Sequence, residues 1–269
     1  MCTHTTARLV AQELGVDASL LRGHAYGETV QVCGAHVTFL DANHCPGAAL
    51  LLFRLEDGRV HLHTGDMRYH PRMETYPKLL EVRGQIDRLY LDTTYCHPKH
   101  SFVAQDDSVE AIAAAVYSRL EPINSGKPET SANQVVAKDE SGTQCLILLS
   151  AYKIGKERVM LAVARRTGEL ICVDERKMAV LRCLDLPPDD LAVFTTDPDR
   201  TPIHVIRYVL ALPPQKEPNY ALRASSEQAG LRISIALVSS DAVLWSSCAP
   251  AGWALRGKCG PISSQTSLR

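Results

Sequence analysis

His44, Asp66 and Asp92 each follow a run of β-type apolar residues. His44 lies in DANHCPG (41–47), between the runs Val37–Leu40 and Ala48–Leu55. Asp66 closes HTGD (63–66) after the run Val60–His63, and Asp92 opens DTTY (92–95) after Ile86–Leu91. All three are therefore expected on loops just past strand ends, where a rigid sheet can aim side chains at a shared point. A neutral imidazole is a borderline-soft ligand and a carboxylate can bridge two ions, so His44 and Asp66 suit a divalent metal such as zinc. The competing readings are structural: a histidine belonging to a Cys-Pro-Gly turn, and an Asp92 carboxylate that caps the turn after its strand.

Other polar groups cluster nearby in sequence. His61 and His63 alternate with Val60 and Leu62, which on a strand puts both histidines on one face. Arg68, Tyr69, His70 and Arg72 form a small basic group, either a solvated loop or a phosphate contact, with Arg68 best placed because it directly follows Gly-Asp-Met. Farther on, SAYKIGKE (150–157) follows an apolar run and leads into a helical pattern. Strand, glycine-containing loop and helix N-terminus together expose N–H groups that can receive a phosphate, with Lys153 and Lys156 as candidate contacts or, equally, ordinary surface lysines. No GxxxxGK[ST] is present, so nothing supports ATP binding.

The elements that must carry these residues follow from periodicity. The segment 5–14 places Ala7, Leu9, Val10 and Leu14 near one helical face, with Gly15 as a stop. Residues 30–37, broken at Gly34, read as two short strands, and Glu56-Asp57-Gly58 as a hairpin turn. A helix is predicted over 106–120, with Val109, Ile112, Ala113, Val116 and Leu120 on one face. The polar segment 121–143 is expected to be a mobile insertion. Then come a buried strand at 145–149, a helix from 157 to about 164, a strand at 169–173, a helix at 175–183, a strand at 191–195 and strand-like residues in 202–212. Residues 213–230 read as a loop, 231–239 and 242–245 as strands, and 256–269 as a disordered tail. Strands alternating with helices predict an α/β unit around a largely parallel sheet.

A chain of 269 residues can bury a sizeable core, and its formal charge of −1 provides no global attraction to nucleic acid, so any phosphate binding must be local. Nine scattered cysteines without a CxxC pair predict a reduced, intracellular chain without a zinc-finger module. No apolar run approaches 18 residues and the N-terminus has no signal-peptide pattern, so no membrane partner is expected.

The string ANHCPG, followed after a hairpin by HTGD and then by LYLDTTYC, resembles the metallo-β-lactamase/β-CASP nucleases of DNA cross-link repair, the Artemis/Apollo-like family. The resemblance covers Met1 to Phe102, resumes at Ser150–Val159, and continues more weakly to Ala251-Gly-Trp253. It implies an α/β fold: a partial metallo-β-lactamase αββα sandwich over 1–98 and an inserted β-CASP α/β subdomain over 99–255. It also implies two zinc ions, with Asp66 bridging, His44 on one, and Asp92 as the first β-CASP motif close to the metals. His63 would stand behind the ligands and His61 would be structural or exposed.

The implied activity is zinc-dependent 5′-to-3′ exodeoxyribonuclease action in interstrand cross-link repair and DNA end processing, in the nucleus, on DNA that is single-stranded or has 5′ ends. The family's HxHxDH and its SEHSS-like motif do not occur in this sequence. The chain is therefore expected to be cut at both ends and inactive alone. The alternatives are an RNA-processing β-CASP nuclease and a non-catalytic relative that binds DNA or protein.

Overall fold

On the strand Val60–His63 the alternation takes effect as the pattern requires: Val60 and Leu62 are buried, His61 is half-buried and His63 is exposed. That strand belongs to a computed structural model that describes residues 1–124, 144–207, 231–238 and 243–248. The chain divides into two units, Met1–Ser101 with Ala179–Leu186, and Phe102–Met178 with Pro187–Arg269. The segment 125–143, most of the expected insertion, lies outside the described residues. So do the expected loop 213–230, Ala251–Trp253 and the tail 256–269.

In the first unit, β1 (Cys2–Thr3) runs directly into α1 (His4–Leu14) and pairs in parallel with β2 (Gly23–His24). The helix starts where the Thr3 hydroxyl accepts from the Thr6 amide, and ends at Gly15, whose φ of 65° is a left-handed cap. Four strands then form an antiparallel meander: β3 (Thr29–Val32), β4 (Ala35–Asp41), β5 (Ala49–Arg54) and β6 (Val60–His63). After the short helix α2 (Pro77–Leu80), β7 (Ile86–Tyr90) adds in parallel to β6 and closes a five-stranded sheet of order β3-β4-β5-β6-β7. One face of this sheet buries Leu40, Ala42, Leu50, Leu52, Val60, Leu62 and Val82 in a single cluster, with Leu79 and Tyr76 packed against it.

The second unit begins with α3 (Gln105–Asn124), followed by β8 (Gln144–Ala151), α4 (Glu157–Thr167), β9 (Ile171–Cys172) and α5 (Glu175–Arg182). It continues with α6 (Pro188–Ala192), β10 (Phe194–Thr195), β11 (Ile203–Arg207), β12 (Leu231–Val238) and β13 (Val243–Cys248). The sheet order is β10-β9-β11-β8-β12-β13, parallel throughout except that β13 runs antiparallel to β12. Ile112, Ala113, Val116 and Leu120 of α3 are buried, as the helical face requires.

Two expectations need correcting. Residues 121–124 complete the last turn of α3 rather than opening the insertion. Leu191 and Ala192, expected in a strand, belong to α6. Pro188 fixes φ at the first helical position and Asp189 and Asp190 face the positive end of the helix, so the helix start overrides the β-like run and leaves only Phe194–Thr195 extended. Among the described residues no helix is long and apolar enough to cross a membrane.

Candidate functional site

The loop bearing His44 is built from its own short polar side chains. Asp41, the last residue of β4, accepts the Asn43 amide at 2.9 Å through Oδ1, and Asn43 takes a left-handed φ of 52°. Asn43 Nδ2 donates to the Arg68 carbonyl at 3.1 Å, and the Arg68 amide donates to the Ala42 carbonyl at 3.1 Å. The Arg72 guanidinium, through Nη2, donates to Asp41 Oδ2 at 2.8 Å and to Asn43 Oδ1 at 2.9 Å. Gly47 ends the loop at φ 89°, and its carbonyl accepts from the Thr3 hydroxyl at 2.8 Å and the Thr6 hydroxyl at 3.0 Å. The loop is thus tied to the first turn of α1 on one side and to residues 68–72 on the other.

The loop bearing Asp66 is fixed by its neighbours. Thr64, 3% exposed, accepts the Asp92 amide at 2.8 Å on its hydroxyl, and its own amide donates to the Tyr90 carbonyl at 2.9 Å. His63 Nδ1 accepts from the Gly65 amide at 3.0 Å while the imidazole stacks on Tyr90 at 5.5 Å, so His63 holds the turn before Asp66. His61 packs edge-on against Tyr90, and its buried Nε2 has no hydrogen-bond partner among the described residues.

These loops bring His44 Nε2 to 4.0 Å from Asp66 Oδ2, with the two side chains 47% and 85% exposed. Asp92 stands at the root of the same region. Its Oδ1 accepts the Thr94 hydroxyl at 2.6 Å and amide at 2.9 Å, and its Oδ2 accepts the Met67 amide at 3.1 Å. The Thr94 hydroxyl first, then the Thr94 and Met67 amides, and least the charge of His44, hold the Asp92 carboxyl below the usual carboxylate range. The turn-capping role considered for Asp92 is therefore present, and it extends to fixing the segment that follows Asp66.

The donor set can be tested against zinc. Two donors on one tetrahedral ion, bound at about 2.0–2.2 Å, stand roughly 3.3–3.6 Å apart. The 4.0 Å between His44 and Asp66 would need to shorten by a few tenths of an ångström, which exposed side chains can do. Zinc also takes three or four protein ligands, and among the described residues no group of three or more His, Cys, Asp or Glu side chains is placed to hold an ion. The described residues therefore do not fit a complete zinc site.

The basic residues separate. Arg68 ties the two site loops together through its backbone, whereas the Arg72 side chain is engaged by Asp41 and Asn43. Lys153 and Lys156 lie in the second unit, on the loop from β8 into α4. There Lys156 has a φ of 65° and its Nζ lies 5.5 Å from the centre of the Tyr152 ring. Sequence reasoning did not assign Asn43, Thr64, Gly47 or Arg72 a part in holding this site. For Asn43 a signal existed, since Asp-x-Asn before a turn favours side-chain-to-backbone bonding; for Arg72 there was none.

No protein-family model matches the sequence. Similar curated proteins do exist. The chain is 34% identical over 206 residues to the DNA cross-link repair protein SNM1 of Arabidopsis thaliana, covering 76% of this chain and 38% of that one. It is 33% identical over 205 residues to the human DNA cross-link repair 1A protein, covering 76% and 18%. It is 34% identical over 211 residues to the 5′ exonuclease Apollo of Gallus gallus, covering 76% and 38%. The chain thus spans well under half the length of these relatives.

Proposed function

Because the chain belongs to the Artemis/Apollo-like family of DNA cross-link repair nucleases, we propose that it acts in DNA repair as part of a metal-dependent 5′-to-3′ exodeoxyribonuclease. One observation carries this reading. In a chain similar to proteins named for cross-link repair and 5′ exonuclease activity, His44 and Asp66 come within 4.0 Å of each other, each on a loop past a strand end.

In this reading the first unit is part of a metallo-β-lactamase sandwich and the second a β-CASP subdomain. The substrate is DNA, single-stranded or with 5′ ends, and the place of action is the nucleus. Zinc, two ions in the full family site, would supply an activated hydroxide and charge neutralisation at the scissile phosphate. His44 and Asp66 are the donors this chain offers, and further donors have to complete the site. Asp92 keeps the Asp66 segment in place, and Arg68, two residues after Asp66, would contact a phosphate oxygen. Lys153 and Lys156 would contact the DNA backbone.

The test pairs zinc stoichiometry of the purified chain with cleavage of a 5′-phosphorylated single-stranded oligonucleotide. The chain by itself is expected to be inactive; bound zinc and a product ladder shortening from the 5′ end, both lost in Asp66→Ala, would show instead that further residues of this chain complete the site. Finding neither zinc nor cleavage would leave two readings, part of an enzyme that is inactive alone or a relative that binds DNA or protein without cutting it. Zinc content near zero once the missing donors are supplied would sink the catalytic one. Preference for RNA in the same assay would move the chain to the RNA-processing branch.

A further inference from the structure

A buried lysine of the second unit takes no part in the chemistry just described. Lys177, in the first turn of α5, has a side chain 7% exposed, and its partner Glu157, the first residue of α4, has one 6% exposed. Lys177 Nζ donates to Glu157 Oε1 at 2.6 Å. It also lies 3.1 Å from the Lys153 carbonyl and 3.4 Å from the carbonyls of Tyr152 and Gly155. Neutralising a buried ammonium needs only the carboxylate. Here three carbonyls of one short loop converge on the cation as well, and Glu157 Oε1 also accepts the Gly155 amide at 3.0 Å. The loop is wrapped around a fixed internal charge.

That wrapping sets what the loop shows on its other side. In a planar trans peptide the N–H points opposite to the C=O. With the carbonyls of residues 152, 153 and 155 turned to Lys177, the amides of Lys153, Ile154 and Lys156 are directed away from it. Lys156 is held at φ 65°, a conformation a lysine rarely adopts unless its surroundings impose it. Lys153 is exposed and Lys156 half-buried on this loop.

We propose that Lys177 is a positioning residue for a phosphate-contacting loop: from inside, its ammonium fixes residues 152–156 in the conformation that presents Lys153, Lys156 and their amides to a nucleic-acid backbone. This rests on the reading above that Lys153 and Lys156 contact DNA. A loop already ordered by Lys177 does not have to be ordered by the nucleic acid, which is where the gain in affinity lies.

The experiment measures binding of a 5′-phosphorylated single-stranded oligonucleotide to the full chain by fluorescence anisotropy across a salt series. Lys177→Met combined with Glu157→Gln removes both buried charges together and leaves neither unpaired. Lys177→Gln combined with Glu157→Gln, a smaller change that also leaves no buried charge unpaired but removes the ammonium, replaces it if that double variant does not fold. Lys153→Ala/Lys156→Ala calibrates the loss of two single-strand phosphate contacts, a flattening of the log–log salt dependence by about 1.4.

The Lys177 variant is expected to weaken binding on the order of tenfold, to flatten the salt dependence toward that of the double-alanine chain, and to speed hydrogen exchange at the amides of residues 153–156. A purely structural lysine would leave the salt dependence unchanged. An unchanged salt dependence in the Lys177 variant, with a flattened one in the double-alanine chain, overturns the inference and spares the reading beneath it. An unchanged salt dependence in the double-alanine chain overturns that reading and the inference with it.

Discussion

Replacing Gly47 by alanine tests how the His44 loop is held. Gly47 adopts φ 89°, and a Cβ there would stand 2.6 Å from the Thr6 hydroxyl, 3.0 Å from the Thr6 amide nitrogen and 3.2 Å from the Thr3 hydroxyl. Gly58, in the hairpin turn between β5 and β6, has nearly the same φ, 85°, with nothing within 4 Å of its virtual Cβ. The backbone strain of a positive φ, about 1–2 kcal/mol for an L residue, is therefore common to Gly47→Ala and Gly58→Ala and cancels in the comparison.

Only at Gly47 must something yield. Thr6 cannot move away without disturbing the first turn of α1, where its amide is capped by Thr3. The Gly47 carbonyl would then lose the Thr3 and Thr6 hydroxyls, each worth about 0.5–1.5 kcal/mol. Gly47→Ala is expected to cost about 2 kcal/mol more than Gly58→Ala. Native-state hydrogen exchange at the amides of Leu50 and Leu52, on the strand that leaves the loop, reads this difference within the first unit. Equal costs for the two variants, within about 0.5 kcal/mol, would show that the contact of α1 with Gly47 does not hold the loop, and the argument would be wrong.

Three further outcomes are expected. Arg72→Met removes two bonds from a half-exposed guanidinium, so its stability cost should stay below about 1 kcal/mol, while the NMR signals of the Asn43 side-chain amide shift; an unmoved Asn43 would separate Arg72 from the loop. Asp92 has its folded-state carboxyl held low, chiefly by the Thr94 hydroxyl, so its stabilisation is complete above the unfolded value near about 4 and is lost as pH falls through the lower folded value. The stability gap between the native chain and Asp92→Asn should accordingly close on acidification, and a gap that persists unchanged to low pH would contradict the assignment. Leu52→Ala empties a position 1% exposed at the centre of the sheet core and should cost about 2–5 kcal/mol in urea denaturation; a cost under 1 kcal/mol would mean the cluster can collapse around the gap.

The sequence predicts β4, β5, β6 and β7 to within a residue or two because each is a short apolar run closed by a polar turn, and the placement of His44 and Asp66 past strand ends comes with them. Three features departed from this reading, one through a local helix start and two through contacts between distant residues. The run Leu191–Thr195 reads as β-branched and aromatic, yet the Pro-Asp-Asp preceding it starts a helix that consumes two of its residues. Arg72 reads as one more cation in a basic group, and only the approach of residues 68–72 to the Asp41 loop shows that it is already engaged. Lys177, within Glu175-Arg-Lys, has the local pattern of a solvated helix start; its burial arises because the loop 152–156 closes over it. Nothing in one-dimensional spacing distinguishes such a lysine from its charged neighbours.

The geometry of the candidate site is therefore set by residues other than the donors. Asp66, 85% exposed, is paired among the described residues only with His44, so Asp66→Ala removes a proposed donor and almost no stabilising contact. Thr64 is 3% exposed and bonded to the Asp92 backbone, Asn43 and Arg72 tie one loop to the next, and Gly47 anchors the first loop to α1. Substitutions then fall into two physically separate groups. A change at Asp66 should alter metal or phosphate binding at constant stability, and a change at Gly47 or Thr64 should alter both together, since the bonds that aim the donors also join the strands. If Asp66→Ala instead lowered the exchange protection of Leu50 and Leu52, the donors themselves would be part of what holds the loops, and the site could not be regarded as organised before anything binds to it.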